Sequence, residues 1–146
     1  MDVHEVVAGH GTADSSEIRV AIDARAPAAI RSMVTRELRY RVTTSELEEA
    51  NLLASELTTN SVRHSGASAD ADLVFRIELS STMVRLEVED PGHDGVIVPR
   101  RTTADRPGGF GLNIVHRLSE RWGVERVAAG GTCVWAQIAL LPPGPP

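Results

Sequence analysis

The sequence predicts an α+β fold, a two-layer sandwich with one sheet and one layer of helices. Two consecutive amphipathic helices and a later third one are set among strand-like runs of alternating polarity. Apolar residues make up 42% of the 146 residues and aromatic residues only 3%, so the core must be aliphatic. We therefore expect a mixed, mostly antiparallel sheet with the helices on one face.

The first half of the chain holds one strand and two helices. Residues 17–23, EIRVAID, alternate as a half-buried strand does. Residues 26–40 predict a helix with Pro27 in its first turn, where the missing N–H costs nothing. The next helix begins near Ser45, which has a glutamate three residues later as in a capping box. It ends near His64, before the turn-forming SGASADAD.

The second half holds two hairpins around a third helix. Between the first hairpin and the helix lie residues 91–109, rich in glycine, proline and charge. Loops of this length in compact domains are often functional lids. The predicted elements are strands at 73–80, 82–90, 123–129 and 131–141 and a helix at 110–122.

The predicted domain spans residues 17–141, without repeats or an internal linker. Residues 1–16 are polar and rich in small residues, so we expect a flexible N-terminal tail. Residues 142–146 form a Pro-rich C-terminal tail.

Composition excludes several kinds of function. The net charge of −5 and the lack of a basic run argue against direct nucleic-acid binding. All 15 basic residues are arginine, so lysine-dependent chemistry is excluded. The single cysteine, Cys133, fits a reducing compartment and is expected to be a packed side chain. No signal peptide or membrane span is evident, so we expect a cytoplasmic protein without a membrane partner.

The second helix gathers polar side chains beside its apolar stripe. Glu56, Asn60 and Arg63 fall within roughly a 60° sector. Taken alone, this sector is best interpreted as a solvated flank. The functional alternative is a site in which the amide oxygen binds Mg²⁺ and the carboxylate accepts a proton.

Two glycine-containing motifs follow along the chain. Asp90 ends an apolar strand and Gly92 follows two positions later, which alone indicates a strand-to-turn exit. Gly108, Gly109 and Gly111 lie where the third helix opens. Backbone N–H groups and the helix dipole favour phosphate at such a place, although a flexible hinge is the equal alternative.

The order of these motifs is more informative than any one of them. The series E-L-x-x-N, D-x-G, lid and G-x-G-L resembles the GHKL ATPase superfamily over roughly residues 18–141. Within it, the chain most resembles the single-domain anti-sigma-factor serine/threonine kinases. The resemblance rests on LLASELTTNSVRHSG, VEDPG, GGFGLNIVHRLSERWGVE and GGTCVWAQIAL.

This resemblance implies a role for each matching residue. Glu56 matches the general base, and Asn60 the ligand of the Mg²⁺ ion that bridges the phosphates. Asp90 matches the carboxylate that accepts the adenine amino group, and Gly92 the glycine that lets the base approach. Thr132 matches a hydroxyl residue near adenine.

The phosphate side of the implied site lies at the hinge of the lid. The matching residues there are Gly109, Phe110, Gly111 and Leu112. An arginine could meet the γ-phosphate as a planar donor. The candidates are Arg63, Arg100, Arg101 and Arg106.

The resemblance implies an ATP- and Mg²⁺-dependent serine/threonine protein kinase that is also an anti-sigma factor. It would phosphorylate a small anti-sigma-factor antagonist and regulate transcription by partner switching. Its partners would be that antagonist and a sigma factor, and relatives of this kind often form homodimers. The alternatives are an ATP-gated module that sequesters a regulator with little or no kinase activity, and a plain α+β domain.

Overall fold

The computed structural model describes residues 4–9, 14–64, 71–91, 110–127 and 130–142, with the backbone alone at 4–9, 64 and 110–112. The helices are α1 (Ala26–Leu38), α2 (Thr44–His64) and α3 (Phe110–Leu118). The strands are β1 (His4–Gly9), β2 (Asp14–Ala21), β3 (Asp72–Leu79), β4 (Met83–Asp90), β5 (Arg121–Arg126) and β6 (Thr132–Ala139). In the described part of the chain, none of the helices is long and apolar enough to cross a membrane.

The six strands form one sheet in the order β1-β2-β3-β4-β6-β5, and all five pairings are antiparallel. In β4 every second residue from Val84 to Asp90 is buried, which is the pattern of a strand with one face on the core. The helices contact β2, β4, β5 and β6. Among the described residues, the buried core is aliphatic apart from Met33 and Phe75. The predicted α+β sandwich is therefore confirmed.

The predicted N-terminal tail is wrong for most of its length. Strand β1 pairs with β2 from His4 opposite Arg19 to Gly9 opposite Asp14, and β2 begins three residues earlier than expected. An edge strand is held by backbone hydrogen bonds to its neighbour. Those bonds leave no side-chain pattern in a segment as short as HEVVAG.

The N-terminus of α2 is capped two residues earlier than predicted. The backbone N–H of Thr43 donates to Glu46 Oε1 at 2.9 Å, and the backbone N–H of Glu46 donates to Thr43 Oγ1 at 3.1 Å. Glu46 Oε2 also accepts the backbone N–H of Leu141, just beyond β6, at 2.8 Å. This third bond stabilises the capping box formed by Thr43 and Glu46 over the one predicted at Ser45.

Helix α3 ends at Leu118, earlier than expected, and β5 begins at Arg121. The chain leaves the helix there because the backbone N–H of Glu120 donates to the Gln137 carbonyl of β6 at 2.8 Å. Trp122 then lies on the strand, and its Nε1–H donates to Nδ1 of His116 on α3 at 3.2 Å. This bond ties α3 to the edge of the sheet.

Glu46 supplies a pH-dependent part of the stability. Its side chain is largely buried. Burial raises the pKa of this carboxyl, but the hydrogen bonds from Thr43 and Leu141 outweigh that effect, and its pKa lies below the ordinary value. A carboxyl with a lowered pKa stabilises the fold above its unfolded pKa, and the contribution is lost as pH falls through the folded pKa.

We therefore expect Glu46→Gln to lower the free energy of unfolding by about 1 kcal/mol at pH 7, because the amide places a donor against backbone donors. The difference from wild type should shrink as pH falls below about 4. Urea unfolding at several pH values measures it. The control is Glu48→Gln, an exposed glutamate on the same helix. An equal loss in both variants would contradict the assignment.

Candidate functional site

Helix α2 lies in the middle of the helix layer. It contacts α1 and α3, and it packs on β4 and β6. The stripe of residues that meets the core is spaced as a helix face requires. It consists of Ala50, Leu53, Ala54, Leu57 and Ser61, all buried.

Glu56, Asn60 and Arg63 lie along one flank of this stripe. Glu56 and Asn60 are half-buried, and Arg63 is exposed. On the other flank, Asn51 Nδ2 donates to Oγ1 of Thr35 on α1 at 3.1 Å. At 100° per residue, Asn51 lies about 180° from Asn60. The Glu56–Asn60 flank therefore faces away from α1, toward the side where α2 meets α3.

Asp90 and Thr132 are brought together by the central pairing of the sheet. Asp90 is the last residue of β4 and lies opposite Thr132, the first residue of β6. Asp90 is 7% exposed and belongs to the buried side of β4. A carboxylate at the end of an apolar face is costly unless it is hydrogen-bonded, and such groups are frequent in binding sites.

Gly131 makes this arrangement possible. A Cβ atom at this position would lie 2.0 Å from the Asp90 carbonyl oxygen and 3.1 Å from the carbonyl carbon of Pro91. Only glycine allows two backbones to approach so closely. Sequence reasoning assigned a role to Thr132 and missed Gly131, for which the glycine pair at 130–131 was the available signal.

Phe110, Gly111 and Leu112 form the backbone of the first turn of α3. The N–H groups of a first turn have no intrahelical partner and can meet an anion. Further along α3, Val115 is buried in the core, which fixes the helix on the sheet.

The remaining predicted site residues lie outside the described residues and keep their roles as predictions: Gly92, Arg106 and Gly109, together with the candidates Arg100 and Arg101.

These groups suit a nucleotide with a divalent cation. The Asn60 amide oxygen and the Glu56 carboxylate are oxygen donors of the kind that Mg²⁺ prefers. The Asp90 carboxylate is an acceptor that an exocyclic amino group would satisfy. The pair Glu56–Asn60 and the pair Asp90–Thr132 lie on adjoining elements, because α2 packs directly on β4 and β6.

We expect Gly131→Ala to displace Asp90. A methyl group at 2.0 Å from a carbonyl oxygen forces β4 and β6 apart, at a cost of about 1–3 kcal/mol in the free energy of unfolding. The affinity for the adenine nucleotide implied by the resemblance should fall at least about tenfold. Urea unfolding and titration with a fluorescent ADP analogue measure the two effects.

Gly130→Ala is the matched control. Gly130 has φ +90°, and a Cβ there would meet no atom within 4 Å. Alanine at Gly130 should therefore cost about 1 kcal/mol of backbone strain and leave Asp90 in place. Equal nucleotide affinity in the two variants would contradict a positioning role for Gly131.

Comparisons with known proteins identify the family and support the fold. The family model for the histidine kinase-like ATPase domain matches residues 20–138. A search of curated protein sequences gives no significant match. Among solved structures, the chain is similar to the crystal structure of the RsbU and RsbW domains of Rv1364c from Mycobacterium tuberculosis, with a TM-score of 0.63 and 19% identity.

That similarity covers 85% of this chain and 32% of the matched chain, so this chain spans about a third of the length of the matched one. The family match runs from β2 into β6 and includes α2, the end of β4 and the start of β6. The chain belongs to the histidine kinase-like ATPase domain family.

Proposed function

We propose that the chain is an ATP-dependent serine/threonine protein kinase and anti-sigma factor that phosphorylates a small anti-sigma-factor antagonist. The observation that carries the proposal is the placement of Glu56 one turn from Asn60 on a half-buried flank of α2. A domain that only held nucleotide would need the amide but not the carboxylate beside it.

Nucleotide binding would use three parts of the chain. Asp90 would accept the adenine amino group, with Thr132 across the strand pair beside it. Asn60 would hold Mg²⁺, and the backbone N–H groups of the first turn of α3 would meet the phosphates. The site needs no lysine, which agrees with the composition. Arginine would supply the planar donor to the γ-phosphate.

The bound nucleotide supplies the phosphoryl group, and this chain's residues position and deprotonate the acceptor. The serine or threonine oxygen would form a bond to the γ-phosphorus as the β–γ bridging bond breaks and ADP leaves. Glu56 would take the hydroxyl proton. Positioning and charge neutralisation account for most catalysis of this kind.

The choice of partners follows from two similarities. The motifs resemble those of single-domain anti-sigma-factor kinases, and the fold is similar to that of a chain containing an RsbW domain. We therefore propose an antagonist protein as the phosphoryl acceptor and a sigma factor as the regulated partner, in the cytoplasm. A homodimer is part of the same proposal.

The central test separates binding from transfer. Glu56→Gln should keep Mg–ADP affinity within about threefold and lower transfer to the antagonist about 10²–10⁴-fold, because the proton acceptor is lost. Asn60→Ala should instead weaken the Mg²⁺-dependent part of binding. Calorimetry and radiolabelled transfer measure the two quantities.

Glu48→Gln makes the same chemical change on an exposed part of α2 and is the control. Wild-type transfer by Glu56→Gln would remove Glu56 as the proton acceptor, and no transfer by wild-type protein that binds ATP would remove the kinase assignment. No heat of binding for either Mg–ADP or Mg–ATP with folded protein would remove the nucleotide site as well.

The second candidate is an ATP-gated module that sequesters a regulator without phosphorylating it. One observation favours it: among the described residues, no hydrogen bond or ion pair orients the Glu56 carboxylate. General bases are usually oriented by a third group. If Glu56→Gln abolishes regulation while ATP still binds, transfer is the function. If regulation survives, sequestration is the function.

A further inference from the structure

A groove of about 770 Å³ lies on the helix layer, away from the candidate site. It runs along the outer side of α1 and is bounded on α2 by Asn51, which lies about 180° around the helix from Asn60. The groove is therefore separate from the flank that the proposed function uses.

The groove concentrates positive charge in an acidic chain. Residues 26–41 contain four of the 15 arginines and one of the 20 acidic residues, a net charge of +3. With −5 for the whole chain, the remaining residues carry −8. Three of those arginines line the groove: Arg31, Arg36 and Arg39. A local positive charge in an otherwise acidic protein attracts anionic groups of a partner.

These arginines differ in how they are engaged. Arg31 makes no hydrogen bond or ion pair within the described ranges. Arg36 lies 3.7 Å from Glu37. The Arg39 guanidinium lies 5.1 Å from the ring of Tyr40, a residue that is 86% exposed. Tyrosine and arginine are among the residue types that contribute most binding energy at protein interfaces.

The groove is held in shape by the core beneath it. The inward side of α1 is fully buried at Ile30, Val34 and Leu38. The seam with α2 is fixed by the hydrogen bond from Asn51 to Thr35. A preformed surface loses little conformational entropy when it binds.

From these observations we propose that the α1 groove docks an acidic, extended segment of a partner protein. Arg31 and Arg39 are eight residues apart, about 12 Å along the helix. An extended chain spans that distance in about four residues. The segment would thus place carboxylates near both ends of the groove and an apolar side chain against Tyr40. This docking does not depend on nucleotide, so it goes beyond the proposed function.

The test uses a fluorescein-labelled peptide, SEDLEDLS, and its uncharged counterpart, SQNLQNLS, with nucleotide-free protein at low salt. We expect saturable binding of the acidic peptide only, and NMR amide shifts confined to residues 28–40 and the neighbourhood of Asn51. The double variant R31E/R39E should weaken binding at least about tenfold, because attraction becomes repulsion at both ends.

The matched control is R19E/R121E, which changes the net charge equally. Both residues are exposed on β2 and β5, on the sheet face away from the helices, and this variant should change the affinity less than about twofold. Circular dichroism verifies that both variants fold. Equal losses in the two variants, shifts that map to the sheet, or no saturation by about 1 mM peptide would overturn the proposal.

Two further outcomes would also overturn it. Sedimentation that shows a dimer dissociated by R31E/R39E would assign the groove to a second copy of this chain. Tighter binding of a short DNA duplex than of the peptide, with the same dependence on Arg31 and Arg39, would assign it to nucleic acid.

Discussion

The pairing of β6 with β4 is the interaction on which the rest of the structure depends. At the start of β6, Thr132 lies opposite Asp90, and Gly131 allows the backbones to approach. Beyond its end, Leu141 donates to Glu46 and fixes the beginning of α2. One strand therefore aligns the buried carboxylate and anchors the helix that carries Glu56 and Asn60. Neither half of the candidate site is positioned independently of the other.

The two faces of the sheet are stabilised by different physics. The helix-covered face is an aliphatic core, whereas the outward face is held by charge and stacking. There Arg76 bridges Glu17 and Glu89, both at 2.6 Å, and joins three strands. The Arg85 guanidinium lies 4.2 Å from the Trp135 ring, which lies over Gly123. Burial, and then Glu87, raise the pKa of the Cys133 thiol to about 12, so Cys133 is a neutral packed side chain, as predicted.

Features with a strong local period were predictable from the sequence. The apolar residues of β3, β4 and α2 recur with the period of a strand or a helix because they are the residues that become buried. The predicted bounds of these elements were therefore nearly right. Strand β1 was missed because backbone pairing at an edge has no side-chain signature. The cap of α2 was misplaced because two Ser/Thr-to-Glu spacings compete there, and only the distant Leu141 decides between them. Gly131 was missed for a similar reason, since the steric constraint comes from Asp90, 41 positions away.

The position of β6 in the sheet also bears on how the domain assembles. Among the described strands, β5 pairs only with β6, whereas β4 pairs with β3 on one side and with β6 on the other. Strand β6 comes after all of them along the chain. Pairings between residues far apart in sequence form slowly, because a large loop must close first. The space between β4 and β5 is thus filled late, and the pairing of Asp90 with Thr132 is completed at the same step. Folding and the ability to bind a ligand are then gained together, which leaves little room for a compact intermediate with a working site.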